Sequence, residues 1–209
     1  MKKLITTVSI FLVAFQFTAC KKEVKKEEIK ETPVVVKETA AFSLKEATNT
    51  VNFTAYKTTE KVPVKGTFKT VKITEGGEGE SIKEAINGAQ FKIPVGSIET
   101  KDDSRNAKIQ QFFFSVMANS MTLTGKLNIA TDSTGVADLT MNAVTQKLPF
   151  KYTIDGKTFS MKAIMNIDEW NAQSAVASLN EACKELHKGA DGVSKTWSEV
   201  ALEVSSTFK

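Results

Sequence analysis

The chain has 209 residues, with 28 Lys and Arg against 24 Asp and Glu and a single histidine. This length allows one or two domains, and because the first forty residues or so differ in composition from the rest, one folded domain is expected. Without Lys2, Lys3 and the Lys/Glu-rich stretch from Lys21 to Glu38, 20 basic residues face 19 acidic ones. The pI near 8.9 is therefore not the footprint of a nucleic-acid partner, which needs basic residues gathered on one face.

Lys2 and Lys3 precede an apolar run from Leu4 to Phe17, and small Thr18 and Ala19 lead to Cys20. This is a secretory signal over residues 1–19, with an apolar core too short for a spanning helix. Phe17-Thr18-Ala19-Cys20 resembles a bacterial lipobox, which implies cleavage before Cys20 and acylation of that cysteine; an ordinary secretory signal cut nearby is the alternative. Two or three acyl chains hold a protein at a membrane where one chain is marginal. Residues 20–41 mix Lys and Glu with few large apolar groups and are expected to be a tether. The absence of Asp after Cys20 resembles the sorting pattern of outer-membrane lipoproteins. An exported lipoprotein of the cell envelope is the expectation, at the outer membrane, on its periplasmic or surface face. With Cys20 acylated, Cys183 is a lone thiol, most simply a small buried hydrophobe.

From Thr50 onward apolar residues alternate with polar ones. Val51, Phe53 and Ala55 form one set, then Val62, Val64, Gly66 and Phe68, after which the apolar parity moves to Val71 and Ile73, a sign of a bulge. Glu75 to Glu80 is a glycine-rich turn without the framework of a phosphate loop. Ser81 to Asn87 predicts a short helix with Ser81 and Glu84 as a capping box and Gly88 as its stop. Phe91, Ile93 and Val95 predict a strand that Gly96 breaks. Lys101 to Asn106 reads as a charged, turn-prone loop, and the triple aromatic Phe112-Phe113-Phe114 demands cover.

Alternation resumes at Leu123, Leu127 and Ile129, at Ala137 to Ala143, and at Leu148 to Ile154. The Asp155-Gly156 hairpin signal follows, then Phe159 to Ile167. Asp168 to Lys188 predicts one helix with Asp168 as cap, Gly189 as stop and an apolar stripe through Trp170, Ala175, Leu179 and Cys183. Thr196 to Phe208 is the last strand. The fold class is all-β with minor α: about eight antiparallel strands with a helix between the last two.

Alternation alone does not separate a two-sheet sandwich from a closed barrel. The inward set is large, flexible and uncharged, which favours a barrel around an apolar interior; a solid core is the other reading. The residues expected to line the interior are Phe53, Phe68, Phe91, Ile93, Phe112, Phe113, Leu123, Leu127, Met141, Phe150, Tyr152, Phe159, Met161 and Met165.

These residues carry a resemblance to the YceI-like family, over roughly Thr50 to Phe208. Val64-Lys65-Gly66-Thr67-Phe68 matches its V-x-G-x-F. Ser97-Ile98-Glu99-Thr100 with Arg105 matches an S-x-x-T…R loop, Phe112-Phe113 a double aromatic, and Leu139-Thr140-Met141 with Val144 to Phe150 a further stretch. The resemblance implies an exported, eight-stranded lipocalin-like barrel with a polyisoprenoid or other long-chain lipid in its pore. Pore lining carries over best at Phe68, Phe91, Ile93, Phe112, Phe113, Met141 and Phe150. The chain departs from the pattern at Arg105-Asn106-Ala107-Lys108-Ile109, where the family commonly has Arg-Asp-x-His-Leu. It also lacks a proline after the double aromatic and has Ala143 where glycine is usual.

Candidates for chemistry are few. His187 has no nucleophile elbow, and Cys183 with His187 makes an incomplete metal pair, so neither a catalytic site nor a metal is expected. Asp102 and Asp103 are residues of a solvated loop that could ligate a cation. Arg105 faces either a neighbouring acid or a headgroup phosphate at the pore mouth. The expected function is that of a membrane-tethered, non-catalytic carrier for a polyisoprenoid or fatty acyl amide, with that lipid as its only bound molecule. A solid-cored interaction module is the alternative, and the oligomeric state is left open, a homodimer included.

Overall fold

The computed structural model describes residues 40–209. The expected secretory signal, Cys20 and nearly all of the expected tether lie outside the described residues. Among the described residues, twelve strands and three α-helices follow in order. The short β1 (Phe42–Ser43) comes first, then β2 (Thr48–Lys57), β3 (Val62–Phe68), β4 (Lys72–Glu75) and the short β5 (Glu78–Gly79). Helix α1 (Ile82–Ile86) leads into β6 (Gln90–Pro94) and β7 (Ile98–Glu99). Helix α2 (Asp103–Phe112) precedes β8 (Thr122–Ile129), β9 (Thr134–Met141), β10 (Val144–Asp155) and β11 (Thr158–Asn166). Helix α3 (Gln173–Ala182) and β12 (Thr196–Thr207) complete the chain.

Ten of these strands form one antiparallel sheet in the order β4-β6-β8-β9-β10-β11-β12-β2-β3-β7. Its two ends meet, because β3 and β4 are consecutive pieces of one stretch and β6 and β7 of another. Phe68 pairs with Ile98 and Ile73 with Phe91, and the Lys69 amide donates to the Ser97 carbonyl between them. The two stretches thus form one ladder, interrupted where Val95–Ser97 takes a 3-10 turn. Twelve hydrogen-bonded segments therefore reduce to eight barrel positions and a small outlying pair, β1 with β5. The pairings once round the barrel return to β2 displaced by about 12 residues, a large stagger that tilts the strands and widens the interior.

The turns explain the tightness of the meander. Asn142 and Ala143 both lie at positive φ, 52° and 57°, between the paired Met141 and Val144. At the Asp155-Gly156 hairpin, Asp155 still pairs with Thr158, and Gly156 alone takes positive φ. Ser81 and Glu84 form the capping box of α1.

Two elements differ from their sequence reading. Lys101 to Asn106 is not a loop: Asp102 caps α2 by accepting a 3.0 Å hydrogen bond from the Arg105 amide, and the helix runs on to Phe112. Asp168 to Lys188 is not one helix. Ile167–Trp170 is a 3-10 turn capped by Asn166, Asn171 breaks it at positive φ, and Lys184–His187 is again 3-10. The breaks let Trp170, Ala172 and Ala175, all fully buried, face the barrel without a continuous helical stripe.

Each end of the barrel is covered differently. At one end α1, β1 and Leu44 pack beneath the strands, with Phe42 edge-on to Phe208 at 5.6 Å. At the other, α2 connects β7 to β8, α3 connects β11 to β12, and the two helices touch. Among the described residues no helix is long and apolar enough to cross a membrane.

Candidate functional site

Inside the barrel lies a cavity of about 210 Å³ that follows the strands from the α1 end to the helical end. On β2 its wall runs from Asn49 to Ala55, about 20 Å of strand at the usual rise per residue. Phe53, Phe68, Phe91, Ile93, Phe113, Leu123, Leu127, Met141, Met161 and Met165 all line it. So do residues not nominated from the sequence, among them Ile98, Ile109, Phe114, Leu179, Val200, Leu202 and Val204.

Four expected lining residues do not line the cavity. Phe150, Tyr152 and Phe159 are packed solid, only 1–3% exposed, with ring centroids 6.2 Å apart for Phe150 and Tyr152 and 5.1 Å for Tyr152 and Phe159. The Tyr152 hydroxyl donates to the Thr131 carbonyl at 2.8 Å, which meets its polar need inside this core. Phe112 is half-buried at the end of α2 and stands apart from the core cluster. The 3-10 turn Phe114–Val116 changes the chain direction after α2, so the inward aromatics are Phe113 and Phe114. Their rings meet edge-on at 5.0 Å, and Phe114 continues to Phe68 at 6.4 Å and thence to Phe53 at 5.7 Å.

Three glycines shape the wall. Phe53 pairs with Gly66, Phe91 with Gly125 and Phe150 with Gly135 across adjacent strands. A Cβ on any of these glycines would stand 2.3–2.5 Å from the partner ring. The rings lie flat across bare backbone, so Phe53 and Phe91 cover the wall instead of projecting across the lumen.

Polar side chains in the wall are already engaged. Asn49 donates to the Leu44 carbonyl at 2.8 Å and accepts from the Ser206 hydroxyl at 2.6 Å. The Trp197 indole donates to the Thr58 carbonyl. Thr196 donates to Asn180 Oδ1 at 2.9 Å and lies 2.6 Å from His187 Nδ1. The lumen therefore offers a guest apolar contact and no unpaired hydrogen-bonding side chain.

The helical mouth is held by polar contacts. Buried Asn106 accepts from the Thr100 amide at 2.9 Å and hydroxyl at 2.7 Å and donates to Glu99 at 3.3 Å. Glu99 also meets Lys69 and the Lys101 amide, and these partners lower its pKa to about 2. Asn142 accepts from the Ala118 amide and donates to the Trp170 and Asn171 carbonyls, joining three mouth segments. Cys183 is buried, which raises its thiol pKa, and it does not share a helix with His187. Burial lowers the pKa of His187, with Lys57, Arg105 and Lys108 acting in the same sense. Asp102 is spent on its cap and on Arg105 at 3.4 Å. Among the described residues no group of three or more His, Cys, Asp or Glu is placed to hold a metal.

A closed eight-position antiparallel barrel with an apolar lumen and helices across one mouth is a lipocalin-like fold. The chain belongs to the YceI-like domain family, whose model matches residues 42–208. Among solved structures it is similar to a polyisoprenoid-binding domain from Saccharophagus degradans, described as implicated in plant cell wall breakdown. That match has 15% identity and TM-score 0.58, and covers 81% of this chain and 98% of that one. Burkholderia cenocepacia BcnA matches at 15% identity and TM-score 0.49 over 76% and 94% of the two chains. A Campylobacter jejuni YceI protein matches at 16% and 0.49 over 70% and 85%. Comparison with curated protein sequences finds no match.

Proposed function

We propose that the protein is a non-catalytic carrier or sink for a long-chain apolar lipid, a polyisoprenoid or fatty acyl amide, tethered to the cell envelope through acylated Cys20. The observation that carries this reading is the elongated lumen whose wall is apolar and whose few polar side chains already have partners. Such a site gains affinity by burial alone, at about 0.8 kcal/mol per methylene. Three methionines, Met141, Met161 and Met165, give the wall an adaptable surface for an irregular guest. Membership in the YceI-like domain family, with a fold similar to that of a domain described as polyisoprenoid-binding, supports the same class of guest.

The test is uptake of a long-chain prenol and a fatty amide from vesicles by the full chain and by Leu202→Trp, which fills the lumen from β12. Uptake by the wild type and its loss in a folded Leu202→Trp variant is expected. Equal uptake by both places the lipid elsewhere and overturns the assignment to the lumen.

A further inference from the structure

The wall of the lumen is neutral, but its helical mouth is not. Four half-buried basic side chains lie about it: Lys57 at the end of β2, Arg105 and Lys108 on α2, which touches α3, and His187 in the turn after α3. Arg105 and Lys108 are three residues apart and so share one helix face, and the adjacent Ile109 lines the cavity. His187 is one hydrogen bond from the lumen, through Thr196 at 2.6 Å. Lys57 is fixed on the same turn by its 2.9 Å bond to the Leu186 carbonyl.

The nearby carboxylates neutralise this group only in part. Asp102 lies 3.4 Å from Arg105, while Glu181 and Glu185 meet Lys184 and Lys188. Lys57 and Lys108 have no carboxylate partner among the described residues. Lys57, Arg105 and Lys108 lie close enough to Cys183 and His187 to bear on the pKa of both in the same sense. Partly desolvated like charges with only one carboxylate beside them, Asp102 on Arg105, are costly to hold together, and an anion among them lowers that cost.

We propose that this rim is a headgroup site, which takes the carboxylate or phosphate of an amphiphile whose tail occupies the lumen. The proposal rests on the lipid-binding reading of the cavity. It assigns the helical end of the cavity to the charged end of the guest and the α1 end to the tail.

The test pairs each anion with its neutral alcohol: hexadecanoate with hexadecanol, and farnesyl phosphate with farnesol. Each is titrated into the full chain, with Trp197 in the cavity wall as a fluorescent reporter. The anions are expected to bind about tenfold more tightly than their alcohols at low salt, a preference that shrinks as salt rises. Preference for one anion alone assigns the rim to that headgroup. Arg105→Gln with Lys108→Gln is expected to remove most of the preference and leave alcohol affinity unchanged. Lys108→Gln alone breaks no ion pair, and is expected to reduce the preference in part if the double variant does not fold. Equal binding of acid and alcohol, or a preference that survives these substitutions, overturns the headgroup site and leaves the cavity reading standing. Failure of all four compounds to bind overturns both.

Discussion

Phe53 and Gly66 are paired across β2 and β3, and the Phe53 ring occupies the space in which any side chain at position 66 would begin. A Cβ there would lie 2.3 Å from the tip of the ring. The ring can relieve that contact by swinging into the lumen. Gly66→Ala is therefore expected to cost about 1–3 kcal/mol and to shorten the longest chain the barrel accepts. Chemical denaturation and uptake of a series of fatty alcohols measure the two effects.

The solid end and the hollow middle of the barrel should respond differently to truncation. Phe159 is only 1% exposed and packs against Tyr152, so Phe159→Ala is expected to cost about 3–5 kcal/mol. Leu127 is half-buried and borders the cavity, so Leu127→Ala forfeits fewer contacts and is expected to cost less than about 2 kcal/mol. Equal losses in urea denaturation would mean that the lumen is filled in solution.

Ala143 is held at φ 57°, a conformation that disfavours a Cβ. Ala143→Gly should stabilise the protein by about 1 kcal/mol net of the extra freedom of glycine in the unfolded chain. The corresponding rise in Tm is about 2–4 °C, measurable by scanning calorimetry.

His187 links stability to pH. Its folded pKa lies below the ordinary value of 6.5, so between the two values the unfolded chain binds a proton that the folded chain does not. Stability is full above about 6.5 and declines as pH falls from there toward the folded pKa. The contribution of Glu99 falls in a lower window, between 4.5 and about 2. His187→Gln is expected to flatten the upper window of a Tm-against-pH profile and leave the lower one in place.

The barrel was legible because period-two alternation with short turns survives in nearly every strand, and inward residues such as Phe53, Phe68 and Met161 follow from parity alone. Parity does not reveal where along a strand the lumen is open. Phe150, Tyr152 and Phe159 share the inward face but sit where rings meet each other and close the interior. The choice between Phe112 and Phe114 depended on a 3-10 turn that hydrophobicity does not announce. The first turn of α2 was hidden because its cap, Asp102, stands in a charged run that looks like a loop. Val200, Leu202 and Val204 were visible as one face of the last strand, yet only the three-dimensional register brings them to the lumen beside Phe53.

Native mass spectrometry of the full chain, gently purified from its native cells and followed by solvent extraction and lipid identification, tests lipid occupancy of the lumen. One long-chain lipid per barrel is expected, displaced by added prenol and absent from Leu202→Trp. A barrel that is empty on isolation and remains empty after incubation with prenyl and acyl lipids would contradict it.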